Sequence, residues 1–97
     1  MKTFYSDYVR HCMRFHVKHP HPEFHSDVDK QNWLACESVL KKFSDEDAEI
    51  LKAIYAQGDT LADAIYNVSF HQGLTQDHVW KLVNSLERKI AKRRGLI

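Results

Sequence analysis

Thr60-Leu61-Ala62-Asp63-Ala64-Ile65-Tyr66-Asn67-Val68-Ser69-Phe70-His71-Gln72-Gly73-Leu74-Thr75-Gln76-Asp77-His78-Val79-Trp80-Lys81-Leu82-Val83 decides the fold. Leu61, Ala62, Ile65, Val68 and Phe70 recur at helical spacing, and so do Val79, Leu82 and Val83. Between the two runs stands Gly73, the residue type that closes a helix in left-handed geometry, followed by Leu74, placed to fold back onto the helix it ends. Thr60 and Thr75 stand as N-caps, Thr60 with Asp63 three residues on. The stretch therefore predicts a helix over 61–72, a tight turn, and a second helix starting at 76. Ser69, four residues before Gly73, is the small side chain that two crossing helix axes require. Gln72 departs from the pattern, because an apolar residue usually stands directly before the glycine.

Outward from this pair the same punctuation repeats. Gly58 and Gly95 follow apolar runs as Gly73 does, and Leu96 follows Gly95 as Leu74 follows Gly73. Ser26 and Ser44 each precede an Asp by three residues, Asp29 and Asp47, as an N-cap and its partner do. Helices are expected at about 3–18, with Tyr5, Tyr8, Val9, Cys12 and Met13 on one face, and at about 27–43, burying Trp33, Cys36, Leu40 and Phe43. A third covers about 45–57 with Ile50, Leu51, Ile54 and Tyr55, and the last covers about 76–94, adding Leu86 and Ile90 to its stripe. His19-Pro20-His21-Pro22 breaks the chain after the first helix. No segment alternates at period two, so the expected fold class is all-α: about five helices, with a three-helix helix-turn-helix core and a long C-terminal helix. Residues 1–25 read as an N-terminal helix and His/Pro loop and 26–97 as the helical core, together one domain.

Composition sets the outer limits. Ninety-seven residues suit a single small domain and are too few for the large cofactor-binding α/β folds. Three glycines and two prolines cannot supply the turns of an all-β chain. No apolar run reaches the roughly 18 residues of a membrane-spanning helix, and Met1-Lys2-Thr3-Phe4-Tyr5-Ser6-Asp7 lacks the apolar stretch of a signal peptide. Two cysteines, Cys12 and Cys36, lie outside any CxxC spacing and read as reduced, half-buried thiols, which with the missing leader predicts a cytoplasmic protein.

The formal net charge of +1 hides a division. Residues 81–97 carry Lys81, Arg88, Lys89, Lys92, Arg93 and Arg94 against Glu87 alone, a net +5, whereas residues 1–80 carry a net −4. Cations in a last helical turn complement the helix dipole, but these exceed that need. They also continue the helix that follows Gly73.

Phe43-Ser44-Asp45-Glu46-Asp47-Ala48-Glu49-Ile50-Leu51, followed by Tyr55, Gly58 and Thr60-Leu61, resembles the opening of region 4 of bacterial sigma factors, and Leu74-Thr75 with Val79 resembles its step into the recognition helix. The resemblance covers about 43–94 and implies a DNA-binding helix-turn-helix with RNA polymerase as a partner. The helix before Gly73 is one turn longer than usual in that family, and Asp63-Ala64-Ile65 stands where the family has Glu-Ile-Ala. The whole chain also resembles small proteins carried on phages and integrative elements of Gram-positive bacteria, through Asn32-Trp33, Ala35-Cys36, Asp59-Thr60-Leu61-Ala62-Asp63, Val79-Trp80 and the ending Ala91-Lys92-Arg93-Arg94-Gly95-Leu96-Ile97. A transcriptional regulator or accessory factor of a mobile element is the function these resemblances imply.

If the helix after Gly73 enters a major groove, Gln76, Asp77, Lys81 and Asn84 face away from its apolar stripe toward base edges. Gln and Asn pair with adenine, Lys with guanine, and Asp77 repels phosphate unless it accepts from a cytosine amine. Thr60 and Thr75, at helix N-termini, suit phosphate oxygens. Arg88, Lys89, Lys92, Arg93 and Arg94 supply the salt-dependent attraction to the backbone. Trp80 is expected to pack beneath the neighbouring helices.

Five of the seven histidines, His11, His16, His19, His21 and His25, cluster near the prolines, but their spacing matches no zinc site and they are expected at the surface. No metal ligand set, no cofactor site, and no nucleophile paired with a base is legible, so no enzyme is predicted. Double-stranded DNA is the leading partner, with RNA polymerase and a second copy of the chain as further candidates. The competing reading is a helical protein–protein interaction or dimerisation module without DNA binding, in which the long last helix and the two tryptophans dock a partner.

Overall fold

A computed structural model describes residues 4–21, 23–58 and 60–97. They form α1 (Ser6–Lys18), α2 (Asp27–Leu40), α3 (Asp45–Ala56), α4 (Leu61–Gln72) and α5 (Gln76–Arg93), with no strand among them. The fold is all-α, in five helices. The first helix starts at Ser6 rather than at about residue 3, with Phe4 and Tyr5 in a turn and no side chain capping it. Thr3, Pro22 of the His/Pro break, and Asp59 lie outside the described residues.

Four helices begin as their hydroxyl residues require. Ser26, Ser44, Thr60 and Thr75 each sit in extended backbone and accept a hydrogen bond from the amide three residues on, that of Asp29, Asp47, Asp63 and His78. Each such cap satisfies a donor that the helix cannot, for about 1 kcal/mol. Gly73 and Gly95 close α4 and α5 with φ of +67° and +74°. The Leu74 amide donates to the Ser69 carbonyl at 3.0 Å and the Leu96 amide to that of Ala91 at 2.8 Å, the fold-back bond expected of both leucines.

Gly58 does not share this role. It has no positive φ, and α3 ends one residue short of the expected 57 because Gln57 turns extended, with ψ of 143°. The second helix is shorter too, stopping at Leu40 rather than 43. Lys42 and Phe43 close a tighter turn, donating to Val39 and Leu40 three residues back, before Ser44 opens α3.

The core is assembled from every helix: Val9, Cys12 and Met13 of α1, Cys36, Val39 and Leu40 of α2, Leu51, Ile54 and Tyr55 of α3, Leu61, Ala64, Ile65 and Val68 of α4, and Val79, Val83, Leu86, Ile90 and Ala91 of α5. The cysteines are free and wholly inside rather than half-buried. Their burial pushes both thiols up, Cys12 from 9.0 to about 11. Several expected core aromatics are less buried than their spacing implies, although Phe43 and Trp80 still pack against the core. Phe70 is 74% exposed, because it falls on the side of α4 opposite Ile65 and Val68. Tyr8 is exposed on α1, and Trp33, Phe43 and Trp80 are only half-buried.

The packing order places the last two helices. α1 packs on α2, α3 and α5, α2 also packs on α5, and α4 packs on α3 and α5. α5 is thus the common strut. No helix among the described residues is long and apolar enough to cross a membrane.

Candidate nucleic-acid interface

The α4–α5 pair carries the expected site. Its turn is only Gly73, Leu74 and Thr75, so the exit of α4 and the start of α5 are fixed together by the Gly73–Leu74 closure and the Thr75 cap. Ser69 is buried, as a small residue at the crossing should be, and its Oγ finds no hydrogen-bond partner. Leu74 and Leu82 are half-buried against the core, while Val79 and Val83 are wholly inside.

Gln76, Asp77, Lys81 and Asn84 are all exposed, and so are Arg88, Lys89, Lys92 and Arg93. Asp77, Lys81 and Asn84 turn away from this buried stripe, whereas Gln76, three residues before Val79 and seven before Val83, stands on its side at the open end of the helix. Asp77, Lys81, Asn84, Arg88 and Lys92 succeed one another at intervals of four or three residues, which aligns them along one outward ridge of about 22 Å. Its first turn is electrically self-neutralised. Lys81 Nζ lies 3.1 Å from Asp77 Oδ2 with both side chains more than three-quarters exposed. An ion pair so exposed is worth under about 1 kcal/mol and parts readily for another ligand. Lys89 lies off the ridge, with its Nζ 4.9 Å over the centre of the Phe43 ring. Thr60 and Thr75 are exposed, with their hydroxyls already accepting from the helix amides.

Arg94 is placed differently from its neighbours. Its Nε donates to Asn32 Oδ1 at 2.7 Å, while Asn32 Nδ2 donates to the Tyr8 hydroxyl at 2.8 Å. The last basic residue is thereby held against α2 and α1 rather than displayed with Arg88 and Lys92. A second anchor lies on the inner side of α5. Glu87 is 3% exposed and accepts from Tyr55 Oη at 2.8 Å and Arg10 Nε at 3.3 Å. Its own burial, and then the carboxylate beside it, hold the Tyr55 phenol well above its usual range. In the sequence Glu87 reads only as the one acid in a basic segment. Its spacing of four residues from Val83 and three from Ile90, both core positions, is the signal that it points inward.

The histidines divide in the same way. His11, His19, His21 and His25 are exposed, but His16 is buried rather than at the surface, because it follows Cys12 by one turn on the inner face of α1. Its Nε2 lies 2.8 Å from Glu37 Oε2, and its ring lies 4.9 Å from that of Trp33. Trp33 Nε1 donates to the His19 carbonyl, which ties the start of the His/Pro segment to α2. Among the described residues no three His, Cys, Asp or Glu side chains are grouped to hold a metal ion.

One exposed surface has no counterpart among the sequence expectations. Tyr66, 56% exposed, and Phe70 stand one turn apart on the outer face of α4, with Ala62 and Asp63 exposed beside them. Their spacing of four is visible in the sequence, but Phe70 reads there as part of the buried run. No family model, curated protein or solved structure matches this chain, so the reading of its function rests on its own residues.

Proposed function

We infer that this chain is a DNA-binding helix-turn-helix protein, a regulator or accessory factor of a mobile element acting in the cytoplasm, with α5 as the helix that enters the major groove. The observation that carries the reading is the outward ridge of α5, whose polar first half, Asp77, Lys81 and Asn84, with Gln76 exposed beside it at the helix start, runs without interruption into the cations Arg88 and Lys92. Base edges are read by side chains that donate and accept in fixed pairs, and the backbone is held by cations. The ridge offers both in that order along one helix. Thr60, Thr75, Lys89 and Arg93 flank it as phosphate contacts. RNA polymerase is the further partner that the resemblance to sigma region 4 implies.

Fluorescence anisotropy on a pool of labelled duplexes at two salt concentrations tests the reading. Binding that weakens as salt rises, and that Arg88→Ala with Lys92→Ala and Arg93→Ala lowers about tenfold or more, supports it. No binding to any duplex at low salt overturns it.

A second reading has its own observation. Tyr66 and Phe70 leave an aromatic face on α4 unburied, and such a face suits a protein partner or a second copy of the chain. A concentration-dependent dimer that Tyr66→Ala with Phe70→Ala dissolves, in a protein that binds no duplex, favours this interaction module.

A further inference from the structure

Between α2 and the end of α5 lies an open cleft of about 410 Å³, lined by Gln31, Leu34, Ala35, Arg93 and Arg94. Its lining residues include two arginines and one glutamine, and no acidic residue. Among the described residues neither Arg93 nor Arg94 has an ion-pair partner, although the body of the protein is acidic. Two adjacent cations facing a common cleft without a counter-ion repel one another, and an anion bound between them relieves that repulsion.

Arg94 is also set in place. Asn32, 6% exposed, takes the Arg94 Nε on its Oδ1 and is itself held through Nδ2 by the Tyr8 hydroxyl. A buried amide thus fixes the plane of the guanidinium by its inner edge. The two terminal nitrogens of Arg94 keep their donors free of protein partners among the described residues. A guanidinium fixed by Nε presents those nitrogens as a fork, and two oxygens of one tetrahedral or planar anion match it. Leu34, exposed beside Ala35, supplies an apolar wall, and Gln31 a further donor.

We propose that this cleft is a phosphoryl-anion site, with Arg94 as the bidentate clamp, Arg93 as the second cation, and Asn32 as the positioning residue that aims the clamp. The ligand class is a phosphate group, carried by a small phosphorylated molecule or by the sugar–phosphate backbone of a nucleic acid. The site stands on α2 and the end of α5, so it does not depend on α5 reading bases.

The test is titration of the full chain with inorganic phosphate, followed by NMR at the Arg93 and Arg94 side chains, the Gln31 side-chain amide and the Ala35 backbone amide. Saturable shifts at these positions, with a dissociation constant of about 1 mM, are expected in the native chain. Arg94→Lys keeps the charge and loses the fork, and weakens binding about tenfold or more, whereas Lys41→Gln, remote from the cleft, leaves it unchanged. Asn32→Ala weakens phosphate to an intermediate degree, and thermal melts of each variant separate this from loss of fold. Non-saturable shifts, or equal affinity in Arg94→Lys and the native chain, overturn the proposal. The source of the phosphate is read from a duplex titration: Arg94→Lys lowering duplex affinity in step with phosphate affinity identifies a nucleic-acid backbone, and unchanged duplex affinity identifies a small phosphorylated ligand.

Discussion

α4 and α5 are joined by one short turn, yet they are held and displayed in opposite ways. α5 is tied by polar bonds from the far side of the molecule, Glu87 to Arg10 and Tyr55, and Arg94 to Asn32, and it shows solvent a ridge of polar and charged side chains. α4 is held chiefly by its apolar side chains in the core, with one long hydrogen bond from Asn67 Nδ2 to Gln57 Oε1 at 3.4 Å, and it shows solvent Tyr66 and Phe70. Apolar packing tolerates small slippage, whereas a buried carboxylate with two donors fixes both the rotation and the height of the helix that carries it. The difference gives α5 the more firmly fixed position, which the proposed reading of bases would need. It leaves α4 as the helix whose outer face is not explained by the fold.

The largest effect is expected from removing the inner anchor. Glu87→Ala leaves the Tyr55 hydroxyl and the part-buried Arg10 without their acceptor, at a cost of about 3 kcal/mol in stability. Urea unfolding followed by circular dichroism measures this. A loss under about 1 kcal/mol would show that α5 is held by its apolar stripe alone and would erase the contrast with α4.

Alkaline pH weighs on the α1–α2 side, where both thiols lie. Cys12, raised from 9.0 to about 11, holds its proton in the fold at pH values where the unfolded chain has released it. Its stabilising contribution is complete below about pH 9 and is lost as pH climbs through 11, and Cys36 and Tyr55, raised in the same direction, extend the decline. Melting temperatures across that range should fall for the native chain and fall less for Cys12→Ala with Cys36→Ala. The buried side chains of α4 are Leu61, Ala64, Ile65, Val68 and Ser69, none of which titrates there.

On the outer ridge, Arg88→Ala with Lys92→Ala and Arg93→Ala should lower duplex affinity tenfold or more. Binding should also depend less on salt, its logarithmic slope shrinking by about 0.9 for each phosphate that is no longer neutralised. Thermal stability should stay within about 0.5 kcal/mol, since all three side chains are exposed. Equal loss of affinity from Tyr66→Ala with Phe70→Ala would move the interface from α5 to α4.

These contrasts are unequally legible in the sequence. Helix boundaries marked by a local bond can be read: the four hydroxyl caps and the glycine–leucine closures at Gly73 and Gly95 involve only residues within five positions of one another. Gly58 shows the limit, because the same residue type after the same kind of apolar run adopts no left-handed φ. The outward set on α5 is legible because helical periodicity alone decides which side faces the core. The anchors are not. Glu87–Arg10 and Arg94–Asn32 join residues 77 and 62 positions apart, and no local pattern announces which acid or arginine will find a partner across the fold. Arg94 and Arg93 look alike in sequence, and only the position of α2 separates their roles.

The turn between the two helices comes next in size. Gly73 has a φ of +67°, and a Cβ built there meets no atom within 4 Å. Gly73→Ala is therefore free of clashes, and its cost, about 1 kcal/mol, is purely the left-handed backbone imposed on alanine. A larger loss in denaturant unfolding would mean that the α4–α5 crossing itself shifts. In that case duplex affinity should fall with stability rather than independently of it.

The smallest effect is expected at the crossing itself and concerns Ser69. Its Oγ is buried without a partner, so replacing it by a methyl group removes an unsatisfied polar atom and adds a better helix former. Ser69→Ala should leave stability unchanged or raise it by about 0.5 kcal/mol, with duplex binding as in the native chain. Ser69→Leu should instead cost about 1–3 kcal/mol, because a larger side chain must displace the neighbours among which Ser69 is buried. Stability separates these variants from those of Tyr66 and Phe70, which lie on the same helix but face solvent and should change stability by under about 0.5 kcal/mol. A helix whose inner face is intolerant of added size and whose aromatic outer face is indifferent to its loss has that outer face free for a partner. A stability loss at Tyr66 or Phe70 matching that of Ser69→Leu would show that the aromatic face belongs to the fold.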